Sequence, residues 1–171
     1  TIDAALLLNR VRETDKPKIS PLLDKLQLEN GRTIPVHHYP AKSDTAQQSQ
    51  NAGWVLFLHG MNYGGHNEPR IINLCSAIAE RGYHVLSPHI DEIANFWLSF
   101  QAIDTIAATV KAVADNKKYA PNRKLSLMSL SLTGTLSLHA AAKSHCAENL
   151  SGIMLFGSFS DTKTFIPHVL S

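Results

Sequence analysis

A chain of 171 residues with 44% hydrophobic and 18% charged residues can bury one good core, and one domain is the default reading. The formal net charge of +2 comes from Lys and Arg scattered along the chain, so no basic block marks a nucleic-acid surface and no nucleic-acid partner is expected. No apolar run approaches the roughly 18 residues of a membrane span and no leader-like segment opens the chain, so a soluble, cytoplasmic protein is expected.

Asp3 can cap a short helix over residues 4–11, which Pro17 and Pro21 then break, leaving residues 1–25 as a peripheral segment. From Leu26 two alternating runs flank Asn30-Gly31, the signature of an antiparallel hairpin at a sheet edge. Residues 42–53 are rich in Ser, Asp, Gln and Asn and read as a solvated loop. Trp54-Val-Leu-Phe-Leu58 is a continuous apolar run, the mark of a parallel strand covered on both faces. A Gly-containing loop follows, and Asn67 is expected to cap a helix with Pro69 in its first turn. Ile71, Leu74, Cys75 and Ile78 form its buried stripe before Gly82 stops it. Residues 83–87 give the next strand. After a loop through Pro88 and Asp91, a long helix is expected to bury Phe100, Ile103, Ala107, Val110 and Ala114.

Leu125, Leu127 and Met128 make another strand, and residues 152–156 a last one; the Ala-rich stretch from Leu136 onward suits a buried helix. A hairpin followed by strands alternating with helices specifies an α/β layered fold, with a mostly parallel sheet and helices on both faces. Ligands of such sheets bind beyond the carboxyl ends of the strands, where His59-Gly60, Asp91, Ser131 and Asp161 all fall.

Between the strand at 125–128 and the helix after it lies Ser-Leu-Ser131-Leu-Thr-Gly. A strand that reverses at once into a helix presents one residue above the sheet in strained geometry, with small neighbours two positions away on each side. Ser131 as apex puts Ser129 and Thr133 there, whereas Ser129 as apex would put Leu127 there, so Ser131 is the better candidate nucleophile. Thr133 is bulkier than such a turn prefers, and a plain helix cap is the competing reading. Cys75 and Cys146 lack metal or redox spacing and read as buried free thiols, with a disulfide between them as the open alternative. Adjacent His37 and His38 point to opposite faces of a strand, none of the nine histidines falls in a metal motif, and no metal or nucleotide cofactor is expected.

Over roughly residues 26–166, within a core read as residues 26–171, the chain resembles the α/β-hydrolase superfamily, in a poorly characterised bacterial branch, and is similar to its N-terminal portion. The Val-Leu-Phe-Leu-His-Gly strand end, the run from Ala79 to Pro88 and the turn at Ser131 carry the resemblance. It implies a serine hydrolase acting on an ester, thioester or related acyl bond of a small molecule, with Ser131 as nucleophile and the amides of Met61 and Leu132 as oxyanion hole. His59 is expected to anchor its loop. The family's chain order of nucleophile, acid and base leaves Asp161 and His168 as candidate acid and base, because His139 and His145 ride away along the helix after the turn. The simpler reading is a fragment whose acid and base lie farther on, with an apolar edge strand at 152–156 open to pairing; the alternative function is a non-catalytic binding or scaffold module of the same fold.

Overall fold

Asn30-Gly31 turns the chain between β1 (Leu22–Gln27) and β2 (Thr33–Tyr39), with Gly31 at a φ of +84° that an L-residue resists. This computed structural model describes residues 16–97 and 99–159. The remaining elements are α1 (Ala46–Gln50), β3 (Trp54–Leu58), α2 (Pro69–Ala79), β4 (His84–Pro88), α3 (Asp91–Ala94), α4 (Phe100–Asp115), β5 (Leu125–Leu130), α5 (Leu132–Ala141), α6 (Ser144–Ala147) and β6 (Leu150–Phe156). They build one six-stranded sheet in the order β1-β2-β4-β3-β5-β6. β1 and β2 join antiparallel, β2 meets β4 antiparallel, and the other pairs are parallel.

Strand alternation divides the core in two. Leu56 and Leu58 of β3 face α4 and α5 in a cluster with Ile106, Val110, Leu127 and Leu136. Val55 and Phe57 face the other way, onto Ile71, Leu74, Cys75 and Ile78 of α2. That is the layered α/β architecture the pattern predicts. Among the described residues β6 forms one edge of the sheet, opposite β1, with Ile153 and Met154 of this strand each about two-fifths exposed. No helix among the described residues is long and apolar enough to cross a membrane.

Several boundaries differ from the sequence reading. β1 begins at Leu22, four residues before Leu26. The solvated stretch at 42–53 holds α1, whose Thr45 hydroxyl caps the Gln48 amide at 3.2 Å. Glu68, not Asn67, caps α2: its carboxylate accepts the Ile71 amide at 3.0 Å, and Asn67 ends a 3-10 turn instead. A carboxylate at a helix N-terminus also faces the positive end of the helix dipole, which favours Glu over Asn. The loop after Pro88 contains α3. Phe100 does not join the core: the buried stripe of α4 runs through Ala102, Ile106, Val110 and Val113, and the Phe100 ring is 86% exposed. Cys75 and Cys146 are buried and free, as the sequence predicts.

Candidate active site

β3 and β5 pair in parallel with Leu58 opposite Ser129, so Gly60 and Ser131, each two residues farther on, meet above the carboxyl end of the sheet. A Cβ built on Gly60 would lie 3.7 Å from the Ser131 Cβ. Ser131 adopts φ 55° and ψ −142°. An L-residue held in such geometry costs on the order of 1–3 kcal/mol and persists only where the surroundings over-determine it. Here they do so from both sides: the Ser131 amide donates to the Phe156 carbonyl at 2.7 Å, and the Gly134 amide donates to the Ser131 carbonyl at 2.9 Å. The residue is exposed.

Ser129, the other serine near the apex, is buried within β5. The Ser137 hydroxyl donates to the Thr133 carbonyl at 2.8 Å, which spends its one proton, so Ser129 donates to Ser137 across 2.7 Å. One serine is thus presented and the other tied down. α5 starts at Leu132, directly after the apex, instead of at the Ala-rich stretch. Thr133, the bulky residue two positions past the apex, is wholly buried, and its hydroxyl finds no partner among the described residues.

Gly134 serves close approach, not strain relief. A Cβ there would lie 1.8 Å from the Ser158 Oγ and 2.7 Å from its Cβ, and the Thr135 hydroxyl donates to the Phe159 carbonyl. Residues 157–159 therefore lie on the first turn of α5. Gly134→Ala should cost about 1–3 kcal/mol through this overlap, and Ser158→Gly should restore most of it. Urea unfolding of the two single variants and the double variant measures the coupling, and an equal loss in both Ser158 backgrounds counts against this packing.

The proposed oxyanion donors occupy different settings. Leu132 is the first residue of α5, where an amide has no intrahelical acceptor and the helix dipole favours negative charge. Met61 follows Gly60 and packs partly against the main core cluster. The loop it opens is braced by the Asn62 side chain, which accepts the Gly64 amide at 2.7 Å, and by the Gly65 amide, which donates to the Asn62 carbonyl at 2.8 Å. Gly65 has a φ of +53°, and a Cβ on it would lie 2.3 Å from the His89 Nδ1.

Histidines hold this loop to the neighbouring strand. His59 accepts the Ile90 amide on Nε2 at 3.2 Å, so its Nδ1 carries the proton and donates to the Gly60 carbonyl at 2.8 Å. With both nitrogens engaged it is an anchor, as expected. His66 donates from Nδ1 to the Ser87 carbonyl at 3.1 Å and stacks on His37 with ring centres 3.9 Å apart, while His89 meets both His59 and His66. His38 faces Trp54 and His84 on the opposite side of the sheet. The sequence carried no signal for the His66 bracket, because it joins a ring to the backbone of one strand and to a ring on another.

Burial pushes His59 down to about 4 and His66 down to about 3, aided by His89 in the first case and by His37, His89 and His59 in the second. A histidine held neutral in the fold leaves stability intact above its unfolded value of about 6.5 and removes it as pH falls toward the folded value. For His59 the loss amounts to at most about 3 kcal/mol between pH ~6.5 and ~4. Urea midpoints measured at steps from pH 7.5 to 4.5 should therefore fall steeply below pH 6.5, and a flat profile over that range would contradict the neutral brackets.

Asp91 lies exposed on α3, 3.5 Å from the His89 Nε2. Asp161 and His168 lie outside the described residues. Among the described residues, no hydrogen bond joins the Ser131 hydroxyl to a histidine or carboxylate, and no three His, Cys, Asp or Glu side chains converge in a metal-binding group.

No family model matches the chain, and no curated protein matches it. Solved structures do. A fungal esterase from Rhizomucor miehei is 16% identical with a TM-score of 0.66, covering 94% of this chain and 55% of its own. A puromycin-hydrolyzing peptidase of Mycobacterium tuberculosis is 17% identical with a TM-score of 0.65, covering 89% and 25%. A brefeldin A esterase, described as a bacterial homologue of human hormone sensitive lipase, is 14% identical with a TM-score of 0.59, covering 90% and 48%. The chain thus spans about half of the two esterases and a quarter of the peptidase. At these identities the likeness speaks to architecture alone, and that architecture is the α/β-hydrolase fold.

Proposed function

We propose that the chain is the nucleophile-bearing part of a serine hydrolase that cleaves an ester, thioester or related acyl bond of a small molecule. The observation that supports this most is Ser131, an exposed serine held at φ 55° and ψ −142° where the ends of β3 and β5 meet. Nothing in a structural turn calls for a side chain there, since glycine would fill the same position without strain. The esterase and peptidase names of the matched structures agree with acyl chemistry on this fold.

In this reading the Ser131 Oγ attacks the substrate carbonyl carbon and gives its proton to a general base. The carbonyl π pair moves onto oxygen, and the amides of Met61 and Leu132 receive the resulting oxyanion. Removing one such preorganised donor costs on the order of 3 kcal/mol in barrier height. Collapse of the intermediate expels the leaving group, which takes up the proton held by the base, and water then releases the acyl group from Ser131. Asp161 and His168 come after Ser131 in the order of acid and base, and they are the candidates this chain offers for those roles. No cofactor enters the scheme.

A second reading, a non-catalytic binding module of the same fold, draws on the absence of a described base bonded to the Ser131 hydroxyl. Fluorophosphonate labelling of the natural gene product separates the two. Labelling of wild type that disappears in Ser131→Ala supports the hydrolase, and equal labelling of both proteins sinks the assignment.

A further inference from the structure

Four aromatic side chains stand exposed past the carboxyl ends of β3 and β4: Tyr63 on the loop after β3, Phe96 and Trp97 on the turn after α3, and Phe100 at the start of α4. Tyr63 is 78% exposed, Phe96 43%, Trp97 61% and Phe100 86%. Tyr63 lies in the loop that Gly60 and Met61 open, and its ring centre is 4.9 Å from that of Phe96. Tyr63 lies three positions past Gly60, so its Cα is within about 11 Å of the Gly60 Cα, which neighbours Ser131. Exposed large apolar groups scattered singly are ordinary, but here Tyr63 and Phe96 are in ring contact and Trp97 and Phe100 follow Phe96 within four positions, a density of exposed rings that marks a binding surface.

The turn that presents Phe96 and Trp97 is built at a cost. Phe96 has a φ of 62°, a left-handed conformation that is unusual for a bulky aromatic residue. It is fixed by the Phe96 amide donating to the Ile93 carbonyl at 3.2 Å, the Trp97 amide donating to the Glu92 carbonyl at 2.7 Å, and the Asn95 amide and side chain both donating to the Asp91 carbonyl. Beneath the turn the buried Glu92 carboxylate takes a two-pronged contact from Arg32, 2.6 Å and 3.3 Å, and the Thr105 hydroxyl at 2.9 Å. A strained backbone clamped from below, with its rings left in solvent, is preorganised to receive something apolar.

We infer that Tyr63, Phe96, Trp97 and Phe100 form the substrate-specificity surface of the Ser131 site, and that the substrate is an ester or related acyl compound bearing an aromatic group several bonds from the scissile carbonyl. This rests on Ser131 as the nucleophile. Continuity with the oxyanion loop favours the substrate itself as occupant, because the loop that holds Met61 also holds Tyr63. Three peptide units cap the Gly60–Tyr63 span at about 11 Å, so an arylalkyl arm of a few methylenes is long enough to carry a ring from the carbonyl to this surface. Rings meeting at tilted angles, as Tyr63 and Phe96 do at 50°, suit a further ring packed by its edge or in offset stacking.

The test uses 4-nitrophenyl butanoate and 4-nitrophenyl 4-phenylbutanoate, which share a leaving group, with the natural gene product and its Trp97→Ala and Tyr63→Ala variants. Wild type should favour the phenylbutanoate by about tenfold or more in kcat/KM, mainly through KM, and each variant should cut that preference about fivefold. A wild-type preference for butanoate, or a preference unchanged in both variants, overturns the inference. If neither ester turns over and fluorophosphonate fails to label Ser131, the hydrolase reading has failed. The surface is then judged by equilibrium dialysis of 6-phenyl-2-hexanone, an uncleavable carbonyl analogue. Binding to wild type that weakens about fivefold in Trp97→Ala supports the surface, and no binding, as when another part of the protein covers the rings, overturns it. Because all four side chains are exposed, equal melting temperatures across the variants confirm that the fold is intact.

Discussion

Ser131→Ala should lower kcat for an acyl substrate by on the order of 10⁴-fold or more, the usual consequence of deleting the nucleophile of a serine hydrolase. Its melting temperature should stay close to wild type, because Ala suffers the same backbone strain at φ 55° and ψ −142°. Ser131→Gly should be equally inactive yet more stable. Glycine adopts this geometry without a Cβ penalty, and a gain of about 1 kcal/mol corresponds to roughly 2–4 °C in a domain of this size. Activity lost and stability gained at one position is the signature of strain kept for function. Kinetics with the two nitrophenyl esters and thermal melts on all three proteins make the measurement. A Ser131→Gly protein that melts lower would show that the turn is not strained, and a Ser131→Ala protein that keeps its activity would place the nucleophile elsewhere.

The turn was legible in the sequence because its requirements are local: a strand-length apolar run, a helix-forming run and small residues around one serine. The sheet was legible for the same reason. Asn30-Gly31 dictates the hairpin, and the apolar runs at 54–58 and 125–130 dictate buried parallel strands. What escaped depends on contacts between distant segments. Helical spacing assigns Phe100 to the face of Ala107 and Val110, but spacing cannot tell where along a helix the sheet beneath it stops. Gly134 is required by the close approach of Ser158, 24 positions later, which nothing in the local sequence announces. Glu68 replaces Asn67 as the cap of α2 because the preceding residues wind into a 3-10 turn that no propensity announced.

The pairing of Arg32 with Glu92 is the clearest such case, since 60 residues separate them and neither stands in a motif. Arg32→Ala should destabilise the fold by about 3 kcal/mol at pH 7, the low end of the cost of orphaning a buried charge. The low end applies because the Arg32 side chain is one-third exposed and water screens part of its effect, whereas the Glu92 side chain is only 4% exposed. The pH dependence arises from the competition at Glu92. Burial pushes its carboxyl up, but the Arg32 fork, its own backbone and the Thr105 hydroxyl outweigh burial and hold it below its ordinary value. Its contribution is therefore present above the unfolded value of about 4.3 and lost as pH falls below that. In Arg32→Ala burial acts with less opposition, the carboxyl rises, and protonation in mild acid relieves the orphaned charge. The penalty should accordingly shrink between pH 7 and pH 5, where wild-type Glu92 stays ionised. Arg32→Met combined with Glu92→Leu should recover most of the loss, since an apolar pair leaves no charge behind. Urea unfolding of the wild type, Arg32→Ala and the paired variant at both pH values is decisive. A cost below about 1 kcal/mol that does not change with pH would mean that water, not Arg32, satisfies the carboxylate, and the turn carrying Phe96 and Trp97 would then lose the clamp beneath it.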